Sequence, residues 1–121
     1  MTRKPISPDM HGLIDYGFGV LNTVGPAALG LTGSARTAPA VAAVVQGTLN
    51  ALSNQRYAAK RIVPFRAHGK LEAAGVPALL VASIVTEAWK QPKAPVFYAG
   101  QFLALGTVYT LTDWNGQTAP G

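Results

Sequence analysis

The chain has no cysteine, few acidic residues and few charges of either sign. The absence of cysteine excludes disulfides and thiolate metal sites. Only 12% of the 121 residues are charged, about half the usual share, whereas 49% are hydrophobic. The net charge of +5 does not indicate nucleic-acid binding, because no stripe of lysine and arginine is interleaved with aromatic residues. The length suits one domain.

Motifs of common enzyme classes are also missing. The chain contains no Gly-x-Ser-x-Gly turn, no phosphate-binding loop and no dinucleotide fingerprint after a strand. Neither histidine has a serine placed by local sequence to act as a nucleophile. A non-enzymatic role is therefore favoured.

The positions of the few charges indicate membrane spans. Four stretches carry no charge at all: residues 16–35, 37–55, 73–86 and 94–112. A helix that crosses a bilayer needs about 20 mostly apolar residues. A soluble bundle would instead need a charged outer face on each helix, which these stretches lack. We therefore expect an all-α, integral membrane four-helix bundle that forms a single transmembrane domain over residues 1–121.

The basic residues are unevenly divided between the two sides of this predicted bundle. Positive charge favours the cytoplasmic side, so both termini and the central loop are expected there. The chain would be a multi-pass membrane protein. The seven cytoplasmic basic residues would be Arg3, Lys4, Arg56, Lys60, Arg61, Arg66 and Lys70, against Arg36, Lys90 and Lys93 on the other side.

The chain reads as an internal repeat. The segment "ISPDMHGLID" is echoed by "IVPFRAHGKLE", and the second helix of each half ends in "LSN" or "LTD". Repeat 1 would span about residues 6–56 and repeat 2 about residues 62–114. Each half would be a helical hairpin, and the two hairpins would share one orientation, related by an axis along the membrane normal.

Each half contains a histidine, a glycine and, four residues after the histidine, a carboxylate. Residues four apart share a helix face, so His11 should lie over Asp15 and His68 over Glu72. Polar groups in hydrocarbon must find partners, which directs these faces inward. The repeat places both segments at the cytoplasmic end. The predicted polar cluster comprises His11, Asp15, His68, Glu72, Asn54 and Asp113.

Several interpretations of this cluster stay open at this point. The imidazoles and carboxylates could simply tie the helices together. They could hold zinc, iron or manganese, with His11, His68, Asp15 and Glu72 as ligands. They could bind a haem through both histidines, with Gly12 and Gly69 leaving room for the flat ring. A proton-coupled path is the last alternative.

The segments "SPDMHGLIDY", "IVPFRAHGKLEA" and "LTDW" resemble a family of small bacterial four-span membrane proteins, the SPW-repeat and related uncharacterised proteins. The resemblance covers nearly the whole chain. It implies a fold and a location in the bacterial inner (cytoplasmic) membrane, and it carries no activity.

Two functions are therefore expected. The first is a non-enzymatic accessory or scaffold subunit, whose partners are the lipid bilayer and either other membrane-protein subunits or further copies of itself. The second is a metal- or haem-binding membrane protein with its site at the cytoplasmic end.

Overall fold

The computed structural model describes residues 3–118 and is all-helical over that range. It contains four long helices and no β-strand among the described residues, an arrangement consistent with a helical bundle. A single turn of 3₁₀-helix, Ala88–Lys90, lies between the last two helices. The four helices are α1 Pro8–Ala28, α2 Ser34–Ala51, α3 Phe65–Val85 and α4 Ala94–Leu111.

Local sequence explains where α1 and α3 begin. Ser7 caps α1, because its hydroxyl accepts a hydrogen bond from the backbone N–H of Met10 at 3.1 Å, and Pro8 occupies the first turn, where its missing N–H costs nothing. Pro64 occupies the N-cap position of α3, where it makes no side-chain hydrogen bond. Each helix thus begins three residues before its histidine. Helices α1 and α3 each have 21 residues, and α2 and α4 each have 18.

Two short backbone pairings close one end of the molecule. Ile6 pairs with Thr112, and Ser53 pairs with Val63, each as an isolated parallel bridge. The segment before α1 is thereby tied to the end of α4, and the end of α2 is tied to the segment before α3. Both histidine segments begin at this end.

The opposite end is packed with apolar side chains. There the buried hydrophobic residues are Leu31, Ala35, Ala88, Ala94, Phe97 and Tyr98. The Tyr98 hydroxyl donates to the carbonyl of Ala35 at 3.1 Å, so the only strongly polar atom of this cluster has a partner. An apolar end and a polar end therefore lie at opposite ends of the four helices.

The outer surface is unusually apolar. Nineteen large hydrophobic side chains among residues 3–118 are exposed, including Val44, Val85, Val96 and Leu103. Of the helices in this part of the chain, only α3 is long and apolar enough to cross a membrane by length and composition. Four such helices were expected from the uncharged stretches. The finding for α3 alone is weak support for a membrane location.

Candidate functional site

The two histidine segments meet at the polar end, inside the molecule. Helix α1 contributes His11 and Asp15 and helix α3 contributes His68 and Glu72, all four at most 1% exposed. Burying an ionisable group costs free energy unless the group is paired. The fold meets this requirement by bringing the four side chains together. We call these four residues the His–acid cluster.

Each histidine contacts both carboxylates through the same ring nitrogen. His11 Nε2 lies 2.9 Å from Glu72 Oε2 and 3.2 Å from Asp15 Oδ2. His68 Nε2 lies 2.9 Å from Asp15 Oδ2 and 3.2 Å from Glu72 Oε2. The shorter contacts therefore join the two helices, whereas the contacts within one helix, which the four-residue spacing predicts, are the longer ones.

The other ring nitrogens are held by hydroxyl groups. His11 Nδ1 lies 2.8 Å from Thr112 Oγ1, and His68 Nδ1 lies 2.7 Å from Ser53 Oγ. Both hydroxyls also donate to the backbone carbonyl four residues earlier, each at 2.6 Å. A hydroxyl has one proton, and a carbonyl can only accept it. Each Nδ1 must therefore carry a hydrogen and donate it to the hydroxyl oxygen.

This tautomer determines what can lie at the centre of the cluster. With Nδ1 protonated, each Nε2 presents either a second proton or a lone pair to the carboxylate oxygens. A bare lone pair facing a carboxylate oxygen at these distances would be repulsive. A proton or a metal cation must therefore lie between each Nε2 and the carboxylate oxygens.

The carboxylates are only partly satisfied by their neighbours. Asp15 Oδ2 also accepts a hydrogen bond from Gln46 Nε2 at 3.3 Å. The second oxygens, Asp15 Oδ1 and Glu72 Oε1, are buried and have no hydrogen-bond partner among the described residues. An unmet buried acceptor costs roughly 1–3 kcal/mol. These two oxygens are therefore available to a ligand.

The glycine after each histidine makes room for a side chain that closes the polar end. A Cβ on Gly69 would lie 2.7 Å from the Trp114 ring, and a Cβ on Gly12 would collide with the Gln55 side chain. The Trp114 ring lies over the cluster, with its centroid 4.7 Å from that of His11. The repeated His-Gly-x-x-acid pattern thus provides an imidazole and a carboxylate that point inward, with a glycine that lets another side chain pack against the helix.

A haem does not fit this arrangement. The space beside the two glycines, which the sequence offered to a flat ring, is filled by Gln55 and Trp114. The two imidazole centroids are 5.4 Å apart, and carboxylate oxygens lie between the ring nitrogens. A porphyrin ring cannot enter between the histidines.

Two residues that the sequence placed in the cluster lie outside it. Asn54 is exposed, and Asp113, which is half-buried, accepts a hydrogen bond from the backbone N–H of Asn115. The residues just before them, Ser53 and Thr112, make the contacts with the histidines instead. The bridge pairings rotate these chain ends so that the hydroxyl residue of each "LSN" or "LTD" triplet faces inward.

The cluster has the composition and size of a metal site. The four ligand atoms, one from each residue, lie within 4.8 Å of one another. Imidazole nitrogen and carboxylate oxygen bind zinc, iron and manganese, at distances of about 2.0–2.2 Å for zinc. Adjacent ligands around such an ion are then about 3 Å apart, as the nitrogens and oxygens are here.

No family model, curated protein or solved structure matches the chain.

Proposed function

We propose that this chain is a small membrane protein that binds one divalent transition-metal ion at His11, Asp15, His68 and Glu72. The observation that carries the proposal is the pair of imidazoles locked by hydroxyl groups, with both Nε2 atoms facing carboxylate oxygens at 2.9–3.2 Å. Hydrogen bonds that fix the tautomer and orientation of a ligand histidine are the usual support of a metal site.

Charge balance permits two occupants of the cluster. Two protons on Nε2 would give two imidazolium ions against two carboxylates, and one divalent cation with two neutral imidazoles gives the same net charge of zero. The unpaired oxygens of Asp15 and Glu72 favour the metal ion. A metal cation can bind both oxygens of a carboxylate. Two Nε2 protons would instead be used in the four short contacts, and the second oxygen of each carboxylate would stay without a partner.

The experiment is a metal titration of the tag-free protein, because a polyhistidine tag would add ligands to a chain that has only two histidines. The protein is first treated with a chelator, and Zn²⁺, Mn²⁺ and Fe²⁺ are then added in separate experiments. The metal bound per chain is measured by elemental mass spectrometry. We expect one ion per chain and the release of protons on binding. Bound metal well below one per chain for all three ions would overturn the proposal.

Membrane location is supported by the exposed apolar side chains, the four uncharged stretches and the length and composition of α3. We propose the inner membrane of a bacterium, with both termini in the cytoplasm, as the charge bias and the resemblance to SPW-repeat-like proteins indicate. Reporter fusions after residue 36 and at the C-terminus should report opposite sides of the membrane. The same side at both points would exclude four spans.

The tandem repeat is part of the same proposal. Two features support it: the matching helix lengths, and the matching pair of histidine–hydroxyl hydrogen bonds that join the first hairpin to the second. Each half supplies one imidazole, one carboxylate and one hydroxyl. A duplicated hairpin would thus build a site that neither half contains alone.

An accessory or scaffold role is the second candidate, and the apolar outer faces of α3 and α4 favour it. Leu80, Val81, Val96 and Leu103 are each at least 45% exposed. Exposed apolar faces of this extent bind lipid or another subunit. Cross-linking in native membranes should capture a homo-oligomer or a second protein through these residues, and a protein that stays monomeric would contradict the scaffold role.

A further inference from the structure

A cavity of about 430 Å³ extends from the His–acid cluster into the middle of the helices. Residues of all four helices line it, and most of its wall is aliphatic. Along α3 the lining runs from Glu72 to Ala82, a separation of ten residues that corresponds to about 15 Å of helix. Cavities of roughly 300–1,000 Å³ with apolar walls and a few polar groups are typical of small-molecule sites.

Two amide side chains that line this cavity have buried polar atoms without a hydrogen-bond partner. Gln101 on α4 is 2% exposed, and neither its Oε1 nor its Nε2 has a partner. Asn22 on α1 is 6% exposed, and its Oδ1 is also unpaired. An amide buried in an apolar wall with no partner is costly, so a ligand that satisfies it would gain that energy.

The unpaired groups identify the chemistry of the ligand. Away from the His–acid cluster, whose free carboxylate oxygens are assigned to the metal ion, two of the unpaired groups that line the cavity accept hydrogen bonds: Asn22 Oδ1 and Gln101 Oε1. Only one, Gln101 Nε2, donates. A ligand suited to this cavity therefore needs a hydrogen-bond donor on a mostly apolar body, and a hydroxyl group can both donate to Gln101 Oε1 or Asn22 Oδ1 and accept from Gln101 Nε2.

Exposed apolar residues mark the entrance. Val41 and Val45 on α2 line the cavity and are 56% and 63% exposed. An apolar molecule reaching the outer surface of the helices would therefore meet an apolar opening rather than a charged one.

We propose that this cavity binds a small, mostly apolar molecule that carries a hydroxyl group, such as a substituted phenol, with the hydroxyl at Gln101 and Asn22. The site does not require a metal ion, because its amide anchors, Gln101 and Asn22, are not among the four residues of the His–acid cluster. It goes beyond the proposed metal binding by adding a second, organic ligand.

The test compares two probes of similar shape with detergent-solubilised protein in the presence of a chelator. 4-Butylphenol has a hydroxyl donor, and 4-butylanisole replaces that donor with a methoxy group. After subtraction of protein-free micelles, we expect the phenol to bind about threefold to tenfold more tightly, the value of one hydrogen bond. Equal affinities, or no binding of the phenol above the micelle blank, would overturn the proposal.

Two pairs of variants locate the site. Gln101→Met keeps the side-chain length but removes the amide, so the preference for the phenol should vanish, while Gln117→Met at an exposed position should keep it. Leu105→Trp would fill the cavity and should abolish binding of both probes, whereas Leu103→Trp, at a position 74% exposed, should not.

Helicity and melting temperature show whether each variant is folded. If Leu105→Trp does not fold, the Gln101→Met comparison decides the proposal alone. Unchanged phenol preference in folded Gln101→Met would refute it. The metal content of the same variants separates the two proposals. Filling the cavity, or removing its amide group, should leave metal binding at the histidines unchanged.

Discussion

Replacing His68 with alanine should lower the melting temperature of the detergent-solubilised protein by about 10 °C or more and abolish metal retention. The change removes one imidazole from between two buried carboxylates, at contacts of 2.9 and 3.2 Å. Breaking a buried ion pair by removing one partner typically costs about 3–5 kcal/mol, because the remaining charge is left uncompensated. Thermal unfolding followed by circular dichroism measures the first effect, and elemental analysis measures the second.

Lys70→Ala is the matched control for this prediction. Lys70 lies two residues away on the same helix and is exposed, so its removal should change the melting temperature by only a few degrees. Comparable destabilisation by the two variants would mean that His68 does not compensate buried charge. If only His68→Ala is destabilised but the unmodified chain holds no metal, the cluster is an imidazolium–carboxylate network, and the metal proposal fails.

The sequence predicts the helical class and half of the site. The uncharged stretches indicated four helices, and the structure has four long helices over residues 3–118. The spacing of four residues also placed each histidine on the same face as its carboxylate. These features depend on residues close together in the chain, where helical periodicity is a sufficient guide.

The rest of the site depends on contacts that periodicity cannot supply. Ser53 and Thr112 lie after their helices end, and their inward direction follows from backbone pairing with Val63 and Ile6. The expectation that Asn54 and Asp113 face the centre continued the helical spacing past Ala51 and Leu111, where α2 and α4 end. A signal was present in the sequence, because a hydroxyl residue is the second member of both "LSN" and "LTD".

The cavity could not be foreseen for a similar reason. Gln101 is the only amide side chain in α4, and its burial is apparent only when α4 is placed against the other helices. For the outer surface, the sequence shows that the helices are apolar but does not show which side chains are exposed. Hydrophobic side chains are spread so evenly around α3 and α4 that the sequence pattern does not show which face is buried.

Thr112→Val should weaken metal binding by about 10- to 100-fold, although the Thr112 hydroxyl contacts Nδ1 of His11 and not the proposed ligand atom, Nε2. Valine keeps the shape of threonine but cannot accept the hydrogen bond from His11 Nδ1, which spans 2.8 Å to the Thr112 hydroxyl. The imidazole then loses the group that fixes its tautomer, and a buried N–H is left unpaired. Competition with a chromogenic chelator measures the affinity.

Thr110→Val provides the matched control, because the Thr110 hydroxyl also donates to a carbonyl four residues earlier in α4, at 2.8 Å, but is exposed. Loss of that hydroxyl should leave the affinity within about twofold. Thr112→Ser, which keeps the hydroxyl, should restore most of the affinity that Thr112→Val loses, and Ser53→Ala should weaken binding through His68 in the same way. A folded Thr112→Val variant that binds metal as tightly as Thr110→Val would show that the Thr112 hydroxyl does not fix the tautomer of His11. A hydroxyl with a purely structural role would change the melting temperature and leave the metal affinity unaltered.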